Sequence, residues 1–78
     1  MKKKIIFSTH AIEQNKRRKI PKRYIIQTIT LPDNMQASFR GRQLHQKQYD
    51  DKILEVVIIH EGDSIIVVTQ YWLTKDII

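Results

Sequence analysis

Apolar and polar positions follow two different periods along this 78-residue chain, and the change falls near Met35. Lys4, Ile5, Ile6 and Phe7 form a short apolar run suited to a brief edge strand. Ser8 and Thr9 then offer hydroxyls for an N-cap, and a helix is expected from about residue 10 to residue 18. Its apolar stripe is thin, with Ala11 and Ile12 inside it and Ile20 just beyond, so most of its girth must face water. Pro21 stands where its fixed φ suits the start of a second helix. There Ile25, Thr28 and Ile29 repeat at i, i+3 and i+4, flanked by Tyr24 and Leu31. Pro32, Asp33 and Asn34 then turn the chain.

From Met35 onward the period is two. Residues 35–40 and 43–49 read as strands around Gly41, forming a hairpin or a bulged pair. Asp50 and Asp51 mark a turn. Residues 53–60 and 64–72 are β-branched runs joined by Glu61, Gly62 and Asp63, a strong hairpin signal. Their near-continuous apolarity marks central strands. Strict alternation puts Leu54, Val56 and Ile58 on one face of the first run, with Glu55, Val57 and Ile59 on the other. In the second run it groups Ile66, Val68 and Gln70 opposite Val67, Thr69 and Tyr71. If helices cover one face, the other exposes Glu55, Thr69 and Tyr71 among aliphatic neighbours. The apolar end of the tail, residues 73–78, suggests docking on the domain or on another chain.

These elements predict one α+β domain over residues 1–78. Two N-terminal helices would pack on an antiparallel sheet of four strands, or five if residues 4–7 join it. A chain this short has a core that rarely supplies more than ~3–5 kcal/mol. The absence of cysteine removes disulfides and thiolate sites, and His10, His45 and His60 lack metal-ligand spacing. Neither a metal nor a cofactor is therefore expected. Stability must come from packing, and fourteen isoleucines against two glycines suit a dense β-rich core. Only three apolar residues follow the first lysines before Ser8, unlike a secretory signal. No apolar run approaches the ~20 residues that span a bilayer. The expected setting is cytoplasmic, with no membrane partner.

The net charge of +6 is concentrated at the front. Residues 1–23 hold nine Lys/Arg and one Glu, whereas residues 51–78 hold two Lys/Arg and five Asp/Glu. Such concentration is the electrostatic footprint of a phosphate binder. A solvated surface on an Ile-rich protein is the plainer account of the same charges. The candidate nucleic-acid contacts are Lys16, Arg17, Arg18, Lys22, Arg23 and Arg40. Cleaving RNA without a metal requires proton transfer at the 2′-hydroxyl and leaving oxygen, with cations for the developing phosphorane charge. His10 is the candidate for proton transfer, since histidine titrates near neutrality; capping its helix is the competing role. On a helical period His10, Gln14 and Arg17 share a stripe, with Arg18 beside it. Arg42 and Lys47 are further candidate cations, on opposite faces unless Gly41 marks a bulge. Tyr71 is a candidate for stacking a base or bonding a phosphate, or for the core. Thr69 and Trp72 read as structural, and His45 and His60 as surface residues.

The order of these residues is also familiar. Ser8, Thr9, His10 and Ala11 open the first helix, Arg18, Lys19 and Ile20 break it, and Pro32 precedes the strands. With Gly41 and Arg42, residues 54–57 and Val67, Val68, Thr69 and Tyr71, they resemble the family known as domain of unknown function 4258 across nearly the whole chain. That family is similar to the small RelE- and barnase-like nucleases, many of them toxins of toxin–antitoxin pairs. The resemblance implies a RelE-like fold and metal-independent RNA cleavage. RNA and an acidic antitoxin would be its partners; taken with the residue chemistry, the catalytic set is His10 for proton transfer, Arg18, Arg42 and Lys47 for the phosphate, and Tyr71. Gln14 stands where that family usually has arginine, and Lys19 where it has glycine. Two other readings stay open: a non-catalytic module binding nucleic acid or protein, and a structural homodimer.

Overall fold

The structure, a computed structural model, describes residues 3–74. Strand β1 (Lys4–Phe7) leads into helices α1 (Thr9–Arg18) and α2 (Lys22–Thr30). A meander follows: β2 (Asn34–Ala37), a 3-10 turn (Phe39–Gly41), β3 (Arg42–Tyr49), β4 (Lys52–Glu61) and β5 (Ser64–Thr74). The sheet order is β1-β5-β4-β3-β2. The fold is thus α+β with two helices on one sheet. The tail 75–78, expected to dock, lies outside the described residues.

Two features of the predicted sheet need correction. Residues 4–7 do join it, making five strands where four were the first expectation, and it is mixed rather than antiparallel throughout, because β1 runs parallel to β5 while β2 to β5 are antiparallel. The reason is connectivity. The helices carry the chain from β1 to β2 at the far edge of the sheet, so β1 is not joined to its neighbour β5 by a hairpin, and a neighbour reached through the rest of the chain can run parallel. Periodicity identifies a strand but not its direction.

Helix α1 is fixed at both ends by side chains. Ser8 Oγ accepts from the Ala11 N–H at 3.0 Å and donates to Val68 O at 3.1 Å, so one hydroxyl caps the helix and ties it to β5. At the other end the Asn15 amide clasps the backbone of Ile20, donating to its carbonyl at 2.9 Å and accepting its N–H at 3.0 Å. Ala11 is fully buried, and its lack of bulk lets α1 lie close on β5. From inside the core Gln70 donates to Ala11 O at 3.0 Å. Helix α2 begins after Pro21 and buries Ile25, Thr28 and Ile29, the predicted triplet.

Lys19 ends α1 in the left-handed region, at φ 52 and ψ 42. An L side chain there costs about 1–2 kcal/mol and glycine does not. Lys19→Gly should therefore raise stability by about 0.5–1 kcal/mol after glycine's own entropy cost, read in a thermal melt as a midpoint higher by roughly 2–8 °C.

The core joins Ala11, Ile20, Ile25 and Ile29 from the helices to Leu54, Val56, Ile58 and Val67 of the sheet. A β-bulge corrects the predicted grouping in β5. Val57 pairs with Thr69 but Ile58 with Val67, leaving Val68 as the extra residue. Val67 and Gln70 consequently face the core together, both at 0% exposure. Strict alternation had set them on opposite faces. Gly62, at φ 58, supports the tight β4–β5 turn.

Candidate functional site

Both helices cover the sheet face that carries Leu54, Val56 and Ile58, so among the described residues the opposite face has no helix over it. Cross-strand register places Gln46, Glu55 and Tyr71 in one row on that uncovered face. Glu55 is only 7% exposed, although no helix covers it. Neighbouring side chains on adjacent strands shield it, and its carboxylate is satisfied from both sides. Gln46 Nε2 donates to Oε1 at 2.5 Å, and the Tyr71 hydroxyl makes a short hydrogen bond to Oε2. Asn34 extends the row to β2 by donating to Gln46 Oε1 at 2.9 Å. Burial, followed by the hydrogen bond and negative charge of Glu55, pushes the Tyr71 hydroxyl up to about 12. Tyr71 therefore keeps its proton at any physiological pH.

Arg18 closes the end of this row. Ala11, Asn15 and Arg18 lie at i, i+4 and i+7, so the stripe of α1 that rests on the sheet ends in a guanidinium. Strand β1 pairs with β5 only as far as Val67, which leaves the β5 edge free beyond it. Arg18 Nη1 uses that edge, donating to Gln70 O at 2.8 Å and lying 3.4 Å from Thr69 Oγ1. The guanidinium carbon is 5.9 Å from the Tyr71 ring centroid. A cation thus stands beside an aromatic ring whose hydroxyl bonds a carboxylate. Such a group can hold a phosphate on the guanidinium, stack a base and exchange a proton.

The remaining cations gather where the helices meet. Lys16, Arg17, Arg18 and Lys19 close α1, Lys22 and Arg23 open α2, and all are exposed. Arg17 donates to Gln14 Oε1 at 3.4 Å, keeping the predicted stripe together. His10 is exposed at the second position of α1, eight residues before Arg18 and so about 12 Å along the axis. Arg42 lies on the uncovered face opposite Ile59, with its Nε buried and unpaired among the described residues. Lys47 lies on the helix face opposite Leu54. Its ammonium donates to Leu31 O at 3.0 Å and stands 3.6 Å from Asp33, holding the α2–β2 connection. Arg40 is exposed in the 3-10 turn at φ 56. Of the five residues given catalytic roles, Arg18 and Tyr71 come together.

No family model, curated protein or solved structure matches the chain. What it can do rests on its own geometry. Glu55 and Gln46 were assigned no role from the sequence. Their signal was a lone carboxylate inside the β-branched run 53–59, an expensive place for a charge without donors beside it.

His45, expected at the surface, is instead buried beneath the end of α2. Gln43, His45, Lys47 and Tyr49 alternate onto the helix face, and the His45 Nδ1–H donates to Ile29 O at 3.1 Å. The Gln43 side-chain amide lies between the Nε2 atoms of His45 and His60, at 3.4 and 3.1 Å. Burial holds the His45 imidazole below its ordinary 6.5, outweighing the backbone bonds that raise it. The folded state prefers neutral imidazole, so this stabilisation is complete above about pH 6.5 and is lost as pH falls through the folded value. Urea midpoints should drop between pH 7.5 and pH 5, and His45→Gln should make that drop smaller.

Proposed function

We propose that this chain is a cytoplasmic RNA-binding domain of RelE-like build, akin to the domain of unknown function 4258 family. In this reading it acts as a metal-independent endoribonuclease of a toxin–antitoxin pair, with an acidic antitoxin as its protein partner. The observation that carries it is Arg18 held at the free edge of β5 beside Tyr71 and Glu55. Arg18 has donors to spare beyond the one on Gln70 O, and it takes the scissile phosphate. Lys16, Arg17, Lys22 and Arg23 lead the RNA backbone to it. Tyr71 stacks the adjoining base, and Glu55, shielded by its aliphatic neighbours, receives the 2′-hydroxyl proton. Among the described residues no helix is long and apolar enough to cross a membrane, in keeping with this setting.

One observation favours a second, non-catalytic reading as an RNA-binding module. His10 stands at the far end of α1 from Arg18, so a proton-transfer histidine and a phosphate-holding arginine do not share one pocket. Incubating labelled RNA in EDTA with wild type, His10→Ala and Glu55→Gln separates the readings. Cleavage by wild type and His10→Ala, reduced about 10²–10⁴-fold in Glu55→Gln, is the expected result. Loss in His10→Ala alone would move proton transfer to α1. Salt-sensitive binding without cleavage by any of the three would leave the binding module.

A further inference from the structure

A second surface, away from Arg18, Tyr71 and Glu55, is built for a different kind of ligand. On α2, Lys22, Ile25, Ile26 and Ile29 lie at i, i+3, i+4 and i+7, one stripe of the helix. Two clefts flank that stripe in succession. The first, about 400 Å³, has Phe7, Ile12 and Ile25 along its walls, with Lys16 and Lys22 at its rim. The second, about 450 Å³, is walled by Ile5, Ile26, Ile29 and Ile65, with Lys3 at its rim. Ile5 and Phe7 project from the same face of β1, so the two clefts follow one another as a groove along α2 and β1, the first also walled by α1. Ile12 is 52% exposed and Ile26 is 37% exposed, so aliphatic surface is left in water there.

The chemistry of the lining selects the occupant. Among the described residues no acidic side chain lines either cleft. Lys16 shares its charge with Glu13 at 3.3 Å, Lys22 lies 5.2 Å from the Phe7 ring centroid, and Lys3 stands 3.1 Å from His60 Nδ1. Aliphatic walls with a cationic rim complement a helix that is apolar on one face and carboxylate-bearing along its edges. RNA fits poorly, because bases stack on aromatic faces and these walls are mostly isoleucine. Nine residues of α2 give the groove about 13 Å of length, enough for two to three turns of a partner helix.

We infer that the groove between α2 and β1 docks an acidic amphipathic helix of a partner protein. This gives the acidic partner proposed above a place to bind, and it holds whether or not the chain cuts RNA. The test is an NMR titration of the isotope-labelled chain with a synthetic amphipathic peptide of about four turns. Its apolar face carries leucine and its edges glutamate, and a matched peptide has lysine for glutamate. The expected result is micromolar binding of the acidic peptide, with shifts at Ile5, Phe7, Ile12, Lys22 and Ile26 and none from the lysine peptide. Ile12→Asp and Ile26→Asp, both at exposed positions, should each weaken binding about tenfold or more. Ile6→Asp, on the uncovered sheet face, should leave it unchanged. No shifts at about 1 mM acidic peptide would overturn the proposal. So would shifts at the aliphatic walls, Ile5, Ile12 and Ile26, produced instead by a single-stranded RNA (shifts at Lys16 and Lys22 alone being those of the RNA path), or by raising the concentration of the chain alone, which would make the occupant RNA or a second copy. Cleavage of RNA by peptide-free protein is read separately, so failure here leaves the ribonuclease reading standing, and the reverse.

Discussion

Leu54→Ala is expected to unfold the domain at 25 °C. Leu54 is fully buried in β4, between Lys47 of β3 and Trp72 of β5 in register, and belongs to the core cluster of buried residues. Truncating a buried leucine costs about 2–5 kcal/mol, combining lost transfer energy with the cavity left behind. A domain this small has little more than ~3–5 kcal/mol in total. The two quantities are of one size, so a single side chain decides the state of the chain. Circular dichroism and one-dimensional NMR would show loss of the native spectrum, while the exposed substitution Ile6→Ala keeps it. A cooperatively folded Leu54→Ala with a loss below about 1 kcal/mol would mean that this cluster is not the core.

Arg18→Ala is expected to lower RNA cleavage by about 10²–10³-fold, the usual effect of removing one preorganised donor from developing charge. The side chain is exposed and contacts the sheet only at its edge, so the fold should survive. Arg18→Lys is the sharper variant. A single ammonium cannot hold the Gln70 carbonyl and also grip a phosphate at two oxygens. It should therefore restore much of the salt-dependent RNA affinity but little of the cleavage rate. Cleavage left unchanged by both substitutions would remove Arg18 from the site.

Much of the architecture is legible in the sequence because the local signals are strong. Ser8 marks the start of α1, the Ile25, Thr28 and Ile29 triplet gives the buried side of α2, and Gly62 gives the last hairpin. The uncovered face of Glu55, Thr69 and Tyr71 also follows from alternation. What the sequence hides is non-local. Nothing in residues 4–7 says that they lie parallel to β5. A bulge at Val68 leaves no residue-type signature, yet it shifts every position before it to the other face. His45 reads as a surface histidine until α2 is laid over β3. The Arg18, Tyr71 and Glu55 group brings together residues from three separated segments, so only Arg18 and Tyr71 could be singled out, each for its own chemistry. Glu55 becomes notable only when its strand proves central.

The parallel pairing of β1 with β5 also sets an order of events during synthesis. Ser8 hydrogen-bonds to Val68, sixty residues later, so β1 has no neighbour in the sheet and α1 lacks the strand it rests on until the last strand exists. Closing so long a loop is paid for in entropy before the contact is made. The basic residues of β1 and α1 are thus made before the strand they rest on and wait longest for their place. An acidic partner able to shield those residues before β5 emerges would act as an escort as well as a binding partner.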